Sequence, residues 1–257
     1  MTEATGAKNG PALVTGAARR IGLAIAGRLS RAGRPVILHA SPRSAEEAEL
    51  AAEAIRQQGG RAAVAVADLA DPDAVQGLVG FAARAFGRLT LLVNNASVFE
   101  VDEAEDFPLE RYERQMAINL RAPLLLTRDF AAALPAEAQG AIVNIIDQRV
   151  WRLTPRYFSY TLSKSALWTA TRTMAQAYAP RIRVNAVGPG PVFPNEALGE
   201  RDFEIETHGV PLGHAAEVSG VVDAVLYLAN AKSVTGQMIA VDAGQHLAWR
   251  TPDVASE

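Results

Sequence analysis

Tyr160 and Lys164 stand four residues apart in a stretch of helical periodicity, so their side chains share one face. No other tyrosine in the chain has a lysine four positions on. A free phenol ionises near pH ~10. A neighbouring ammonium lowers that value toward the range where the group exchanges protons at neutral pH. The apolar run upstream ends Asn144-Ile145-Ile146-Asp147, which brings a carboxyl to the same mouth. Three groups for acid–base chemistry therefore converge, although Asp147 also suits an ordinary strand-end turn.

A second constellation suits phosphate. The first apolar run leads into Thr15-Gly16-Ala17-Ala18-Arg19-Arg20-Ile21-Gly22. Gly16 permits a tight turn, Gly22 permits close packing of a following helix, and the N–H groups at that helix start can receive a pyrophosphate. An ordinary strand-to-helix turn has the same look. About 20 residues on, a dinucleotide fold places a carboxylate against the adenosine ribose. Here the segment reads His39-Ala40-Ser41-Pro42-Arg43-Ser44, with no carboxylate. Arg43 and Ser44, with Arg19 nearby, fit a 2′-phosphate and favour NADPH over NADH. The alternative for Arg43 is a solvated surface charge, and for His39 a packed strand residue.

The elements that must hold these groups are legible as short apolar runs alternating with Ala-rich helical patterns. Strands are expected at Ala12–Thr15, Pro35–His39, Ala62–Ala67, Leu89–Val93, Ala141–Ile146, Arg181–Val187 and Met238–Val241. Helices are expected from Ile21 to Leu29, Glu46 to Gln57, from Pro72, Leu109 to Leu134 with a kink near Pro123, Phe158 to Ala179, and Ala216 to Leu228. This alternation predicts a single-domain α/β Rossmann fold: a doubly wound, seven-stranded parallel sheet with helices on both faces. Residues 1–9 read as a disordered N-terminus, 188–214 as an irregular substrate-covering loop, and 245–257 as a C-terminal tail.

The 257 residues contain no cysteine, which excludes disulfides, thiolate metal sites and a thiol nucleophile. The net charge of −3 gives no footprint for nucleic acid or an anionic membrane. No apolar run reaches the ~18 residues of a spanning helix, and Met1–Gly10 lacks the apolar core of a signal peptide, so a cytoplasmic protein is expected. His208, His214 and His246 have no metal-ligand spacing, and no metal is expected. Only three of the 25 basic residues are lysine: Lys8, Lys164 and Lys232. In so Arg-rich a chain, a retained lysine points to a need for a compact ammonium.

Over nearly its whole length the sequence resembles the short-chain dehydrogenase/reductase family. The matching pieces are the Thr15–Gly22 turn, Asp68-Leu69, Asn94-Asn95-Ala96, Asn119, Tyr160 to Lys164, Val184-Asn185, Pro189-Gly190 and Val241-Asp242-Ala243-Gly244. The resemblance implies that Tyr160 is the proton donor and that Lys164 holds the nicotinamide ribose and lowers the tyrosine pKa. By the same resemblance, Asn119 orders a water in the proton relay, Asp68 and Leu69 meet the adenine, and Asn94 supports the cofactor cleft with Ala96. Pro189-Gly190 would flank the nicotinamide, with Val192 and Phe193 over the substrate. It also implies a homotetramer.

Two positions depart from most of the family: Arg20 replaces Gly and Asp147 replaces Ser. These, with Arg43-Ser44 and Asn94-Asn95-Ala96-Ser97-Val98-Phe99, resemble the pteridine reductase branch and its relative dihydromonapterin reductase. That similarity implies substrate contacts from Arg20, Ser97, Phe99, Asp147 and Tyr160. A carboxylate disfavours simple ketone reduction, because it repels charge growing on the carbonyl oxygen. Reduction of C=N suits it, since the nitrogen gains a proton. Phe99 offers a face for a flat heterocycle; core packing is its other role. A carbonyl reductase and a low-turnover NADP-binding regulator remain the alternatives. The Gln148–Phe158 segment, with Arg149, Trp151 and Arg152, would lie over the pocket and select substrate, or Trp151 would pack a subunit contact. Met116, Met174 and Trp168 read as core or interface, and Glu200–Glu206 as a solvated face of a mobile lid with Asn195 and Glu196.

Overall fold

The structure is a computed structural model; it describes residues 10–194 and 199–249, with only the backbone described at Glu200 and Asp202. Residues 1–9, the lid residues Asn195 and Glu196, and the end of the tail from Arg250 lie outside the described residues.

Seven parallel strands form one sheet in the order β3-β2-β1-β4-β5-β6-β7. They are β1 (Ala12–Val14), β2 (Val36–Ala40), β3 (Ala62–Val66), β4 (Leu91–Asn94), β5 (Gly140–Ile145), β6 (Ile182–Pro189) and β7 (Met238–Val241). Most are continuous apolar runs because helices cover both faces. Side-chain alternation splits the interior into two cores. Ala12 and Val14 of β1 join one, with Ile25 and Leu29 of α1 (Arg20–Arg31), Ile55 of α2 (Ala45–Gln57) and Val225 of the eighth helix, Val218–Asn230. Leu13 joins the other, with Val75 and Leu78 of α3 (Pro72–Phe86), and Leu126 and Phe130 of α5 (Ala122–Ala133). The arrangement is the expected doubly wound Rossmann fold. Strand order reverses between β1 and β4, and a ligand crevice belongs at that point, beyond the carboxyl ends of the strands.

Two expected elements differ. The long helix from Leu109 is divided into α4 (Leu109–Met116), a wide π turn over Ala117–Arg121, and α5. The interruption ends at Arg121, close to Pro123, near which the kink is expected. The irregular segment 188–214 is not wholly irregular: β6 runs to Pro189, and α7 spans Gly199–His208. Its helical pattern is hard to read because most of its turns are charged, without an apolar stripe. Helix α6 spans Phe158–Tyr178, and α8 spans Val218–Asn230. Among the described residues no helix is long and apolar enough to cross a membrane.

Candidate active site

The crevice is a cleft of about 1240 Å³ at the carboxyl edge of the sheet. One end is built by the turn after β1. Gly16 has φ +62, and a Cβ there would stand 2.9 Å from Ala96 Cα. A Cβ on Gly22 would overlap the Gly16 carbonyl oxygen, so α1 packs as closely as its backbone permits. Arg20 opens α1 at φ 54, an unusual conformation for a residue with a side chain. Its Nη2 donates to Pro194 O at 2.9 Å and its guanidinium lies 5.0 Å from the Phe193 ring centroid.

The turn is held from both sides. The Thr15 hydroxyl accepts N–H groups from Asn95 (2.9 Å) and Ala96 (3.0 Å). The Asn95 amide donates back to the carbonyls of Thr15 (2.8 Å) and Gly16 (3.1 Å). From β2, His39 Nδ1 accepts the Gly16 N–H at 3.1 Å, while Nε2 lies 3.2 Å from Ala67 O. Nδ1 must therefore be unprotonated and Nε2 the donor. Burial pushes the imidazole down to about 4, against the pull of the Ala67 carbonyl and Asp68. His39 is thus a neutral strut of the turn.

The other end is built by β5 and α6. The Tyr160 hydroxyl donates to Asp147 Oδ2 at 2.9 Å. The Lys164 ammonium donates to Ile145 O at 2.9 Å, with Nζ 5.7 Å from the Tyr160 ring centroid. Burial brings Lys164 down to about 8, partly offset by the Asp147 charge. Burial, then the Asp147 charge, holds the Tyr160 phenol well above its ordinary value, and the Arg149 charge pulls it back. The expected lowering by Lys164 is corrected here: burial and the carboxylate in contact with the hydroxyl raise the phenol instead. Arg149 joins this end through Asp147 Oδ2 (3.2 Å) and Glu206 Oε1 of α7 (3.3 Å).

A family model described as enoyl-(acyl carrier protein) reductase matches residues 16–246. An oxidoreductase of Methylorubrum extorquens is 36% identical over 91% of this chain and 96% of its own length. Bovine L-xylulose reductase is 35% identical over 91% of this chain and 95% of its own length. The chain is a short-chain dehydrogenase/reductase. Among solved structures, FolM alternative dihydrofolate reductase 1 from Brucella canis, complexed with NADP, superposes with TM-score 0.92. It is 50% identical, covering 96% of this chain and 98% of that one. A blue fluorescent protein from a metagenomic library, in complex with NADPH, gives TM-score 0.86 at 34% identity, covering 93% of this chain and 98% of that one.

In this short-chain dehydrogenase/reductase the cleft gathers most of the residues read from sequence. Gly16, Arg19, Arg20, Ile21 and Gly22 line it at the turn, His39 lines it from β2, and Arg43 and Ser44 line it past β2. Asp68, Leu69, Ala96, Ser97 and Phe99 line the middle, and Asp147, Tyr160 and Lys164 the end built by β5 and α6. Pro189, Gly190, Val192 and Phe193 close the far wall.

Two residues do not line it. The Asn94 amide donates to Asn144 Oδ1 at 2.8 Å, and Asn144 donates to Thr171 Oγ1 at 2.8 Å, all buried within the fold. Successive strand residues face opposite ways, and it is Asn95 that reaches the cleft. Asn119 is fully buried in the π turn. Its Oδ1 accepts from Val98 N (2.9 Å) and Ser97 Oγ (3.1 Å), and its Nδ2 donates to Val98 O (2.9 Å) and Ser163 Oγ (3.1 Å). It reaches the cleft through Ser97.

Phe99 lies parallel to Tyr157, with centroids 4.5 Å apart, and edge-on to Tyr160 at 4.6 Å. One face is therefore committed to Tyr157. The Arg149 and Glu206 contacts were not legible, since they join residues 57 apart in sequence. Glu206 is accordingly not part of a merely solvated face. Trp151 is exposed, edge-on to Trp168 and to His246, whose Nδ1 meets Asp242 Oδ2 at 2.6 Å. Among the described residues no group of side chains has the makings of a metal site.

Proposed function

We propose that the protein is an NADPH-dependent reductase that adds hydride and a proton across a C=N bond of a pterin-type substrate. The observation that carries this reading is the Asp147 carboxylate in direct hydrogen bond with the Tyr160 hydroxyl. An ionised carboxylate at that position opposes an oxyanion and suits a nitrogen that gains a proton. The 50% identity to the alternative dihydrofolate reductase of Brucella canis supports the same substrate class.

The residues present fit the cofactor. The turn after β1 fits a pyrophosphate because α1 opens there, beside Gly16, Arg19 and Arg20 of the cleft wall, and the N–H groups of a helix start receive phosphate. Arg43 and Ser44, on the short turn Pro42–Ser44, would meet a 2′-phosphate, and Asp68 and Leu69 the adenine. Lys164 would hold the nicotinamide ribose beside Pro189 and Gly190. NADPH supplies the hydride.

The protein's own groups manage the proton. Tyr160 is the immediate donor to the ring nitrogen, and its high pKa keeps it protonated at neutral pH. Asp147 holds that proton at Oδ2 until the hydroxyl turns to the nitrogen, and its Oδ1 accepts an N–H of an amidine-like edge of the substrate. Phe99 and Phe193 supply apolar faces for a flat ring, Arg20 supplies donors to its polar edge, and the Ser97 oxygen supplies an acceptor.

A second reading, a carbonyl reductase, is favoured by sequence relatives such as L-xylulose reductase. NADPH oxidation with dihydropterins and with ketones, measured side by side, tests the choice. Turnover of dihydropterins at least tenfold more efficient supports the first reading. Turnover of ketones alone replaces it with the second.

A further inference from the structure

Arg149 stands where three parts of the cleft wall meet. Its backbone N–H donates to Asp147 Oδ1 at 2.8 Å, and its Nη1 donates to Asp147 Oδ2 at 3.2 Å. On the other hand of the guanidinium, Nη2 donates to Glu206 Oε1 at 3.3 Å. That same oxygen accepts the Gln245 amide at 2.8 Å, which ties α7 to the segment after β7. The guanidinium carbon also lies 5.1 Å from the Tyr157 ring centroid and 5.4 Å from that of Phe99.

These contacts leave the side chain few alternatives. A guanidinium is planar and rigid, so engaging a carboxylate at each end fixes its plane. Only 16% of the Arg149 side chain is exposed, so water screens the charges weakly. Burial works against the Arg149 charge, yet its pKa is raised, with the Asp147 carboxylate and then Glu206 favouring the cation. Asp147 is thereby gripped at both oxygens by one residue. Its Oδ2 is left aligned on the Tyr160 hydroxyl. Glu206, Phe203 and Gly199 of α7 line the same cleft, so the helix that covers the site also holds the far end of the ion chain.

We propose that Arg149 is a positioning residue for the Asp147–Tyr160 pair, and that Glu206 acts on the reaction through it. Seating α7 over the cleft and aligning the acid–base pair are then one event. The proposal rests on the assignment of Asp147 and Tyr160 as the proton-handling groups. Removing Glu206 releases one hand of the guanidinium. Removing Arg149 takes the fork from Asp147 and leaves Glu206 with no link to the acid–base pair.

A double-mutant cycle with Glu206→Gln and Arg149→Met tests it, run with whichever substrate, dihydropterin or ketone, the wild type reduces faster. Arg149→Met should lower kcat about 100-fold and Glu206→Gln about tenfold, each leaving KM for NADPH within about twofold. The double variant should match Arg149→Met within about twofold, because the second change has nothing left to act through. Arg149→Lys, which retains the charge but not the fork, should recover part of kcat and controls for misfolding. Multiplying effects, or losses confined to KM, overturn the proposal. Hydrogen exchange on the same proteins without substrate separates this failure from a failure of the substrate assignment. Arg149→Met and Glu206→Gln should both speed exchange of the Phe203–Thr207 amides at least several-fold. Unchanged exchange there means that the ion chain does not hold α7, whatever the substrate proves to be.

Discussion

Asp147 Oδ2 accepts the Tyr160 hydroxyl at 2.9 Å, so the phenol proton and the carboxylate form one unit rather than two separate catalytic groups. The carboxylate leans on the phenol and keeps it protonated. The buried ammonium of Lys164 is anchored instead on the Ile145 carbonyl. That contact divides the labour within the site. In the proposed mechanism Tyr160 stores the proton, Asp147 holds it, and Lys164 is kept for the cofactor.

Tyr160→Phe removes the stored proton and little else. It should lower kcat by about 10²- to 10⁴-fold, the usual reach of a positioned general acid, while NADPH affinity changes by no more than a few-fold. Rapid-mixing kinetics and a fluorescence titration of NADPH give the two numbers. An equal collapse of NADPH binding would show that the phenol serves the cofactor instead.

Asp147→Ser should move the enzyme between substrate classes. Dihydropterin turnover should fall about 100-fold, and ketone turnover should rise, because a hydroxyl donates to a developing oxyanion where a carboxylate repels it. Steady-state kinetics on both substrates decide the matter. Unaltered dihydropterin turnover would remove any proton role for the carboxylate.

Arg43→Ala should distinguish the two cofactors. Loss of a charge-assisted contact to the 2′-phosphate weakens NADPH by about 10- to 100-fold and leaves NADH within about twofold. Isothermal titration with each nucleotide measures this. Equal losses would make Arg43 a surface charge.

His39 should show itself in acid. Its folded pKa, about 4, lies below the unfolded 6.5, so the unfolded chain binds more protons in between. Its contribution is complete above about pH 6.5 and is lost as pH falls to about 4, on the order of 3 kcal/mol. Urea unfolding of the wild type and His39→Asn across that range should converge as pH falls. A constant difference would mean that another group takes up the proton.

Much of this was legible in the chain, for identifiable reasons. Strands buried on both faces write themselves as apolar runs, as in Leu91-Leu92-Val93 and Ala141-Ile142-Val143. The turn glycines and the Tyr160–Lys164 spacing are local, and local geometry survives translation into sequence. What escaped was long-range or a matter of facing. Arg149 meets Glu206 only after the sheet has folded. Asn94 and Asn95 exchange roles because a strand end decides which of two neighbours faces the cleft. Helix α7 carries charges around most of its turns and lacks the apolar stripe that would announce it.

The π turn at Ala117–Arg121 makes the site depend on counting as well as on chemistry. Asn119 makes its four hydrogen bonds because the wide turn rotates it inward between Val98 and Ser163. Deleting one residue there would rewind the segment as ordinary helix and swing α4 by about 100° relative to α5. Every side chain of the site could keep its identity while the Ser97 loop lost its anchor. Alanine scanning would pass over such a dependence, whereas insertion and deletion libraries would find it as a short stretch intolerant of any change in length.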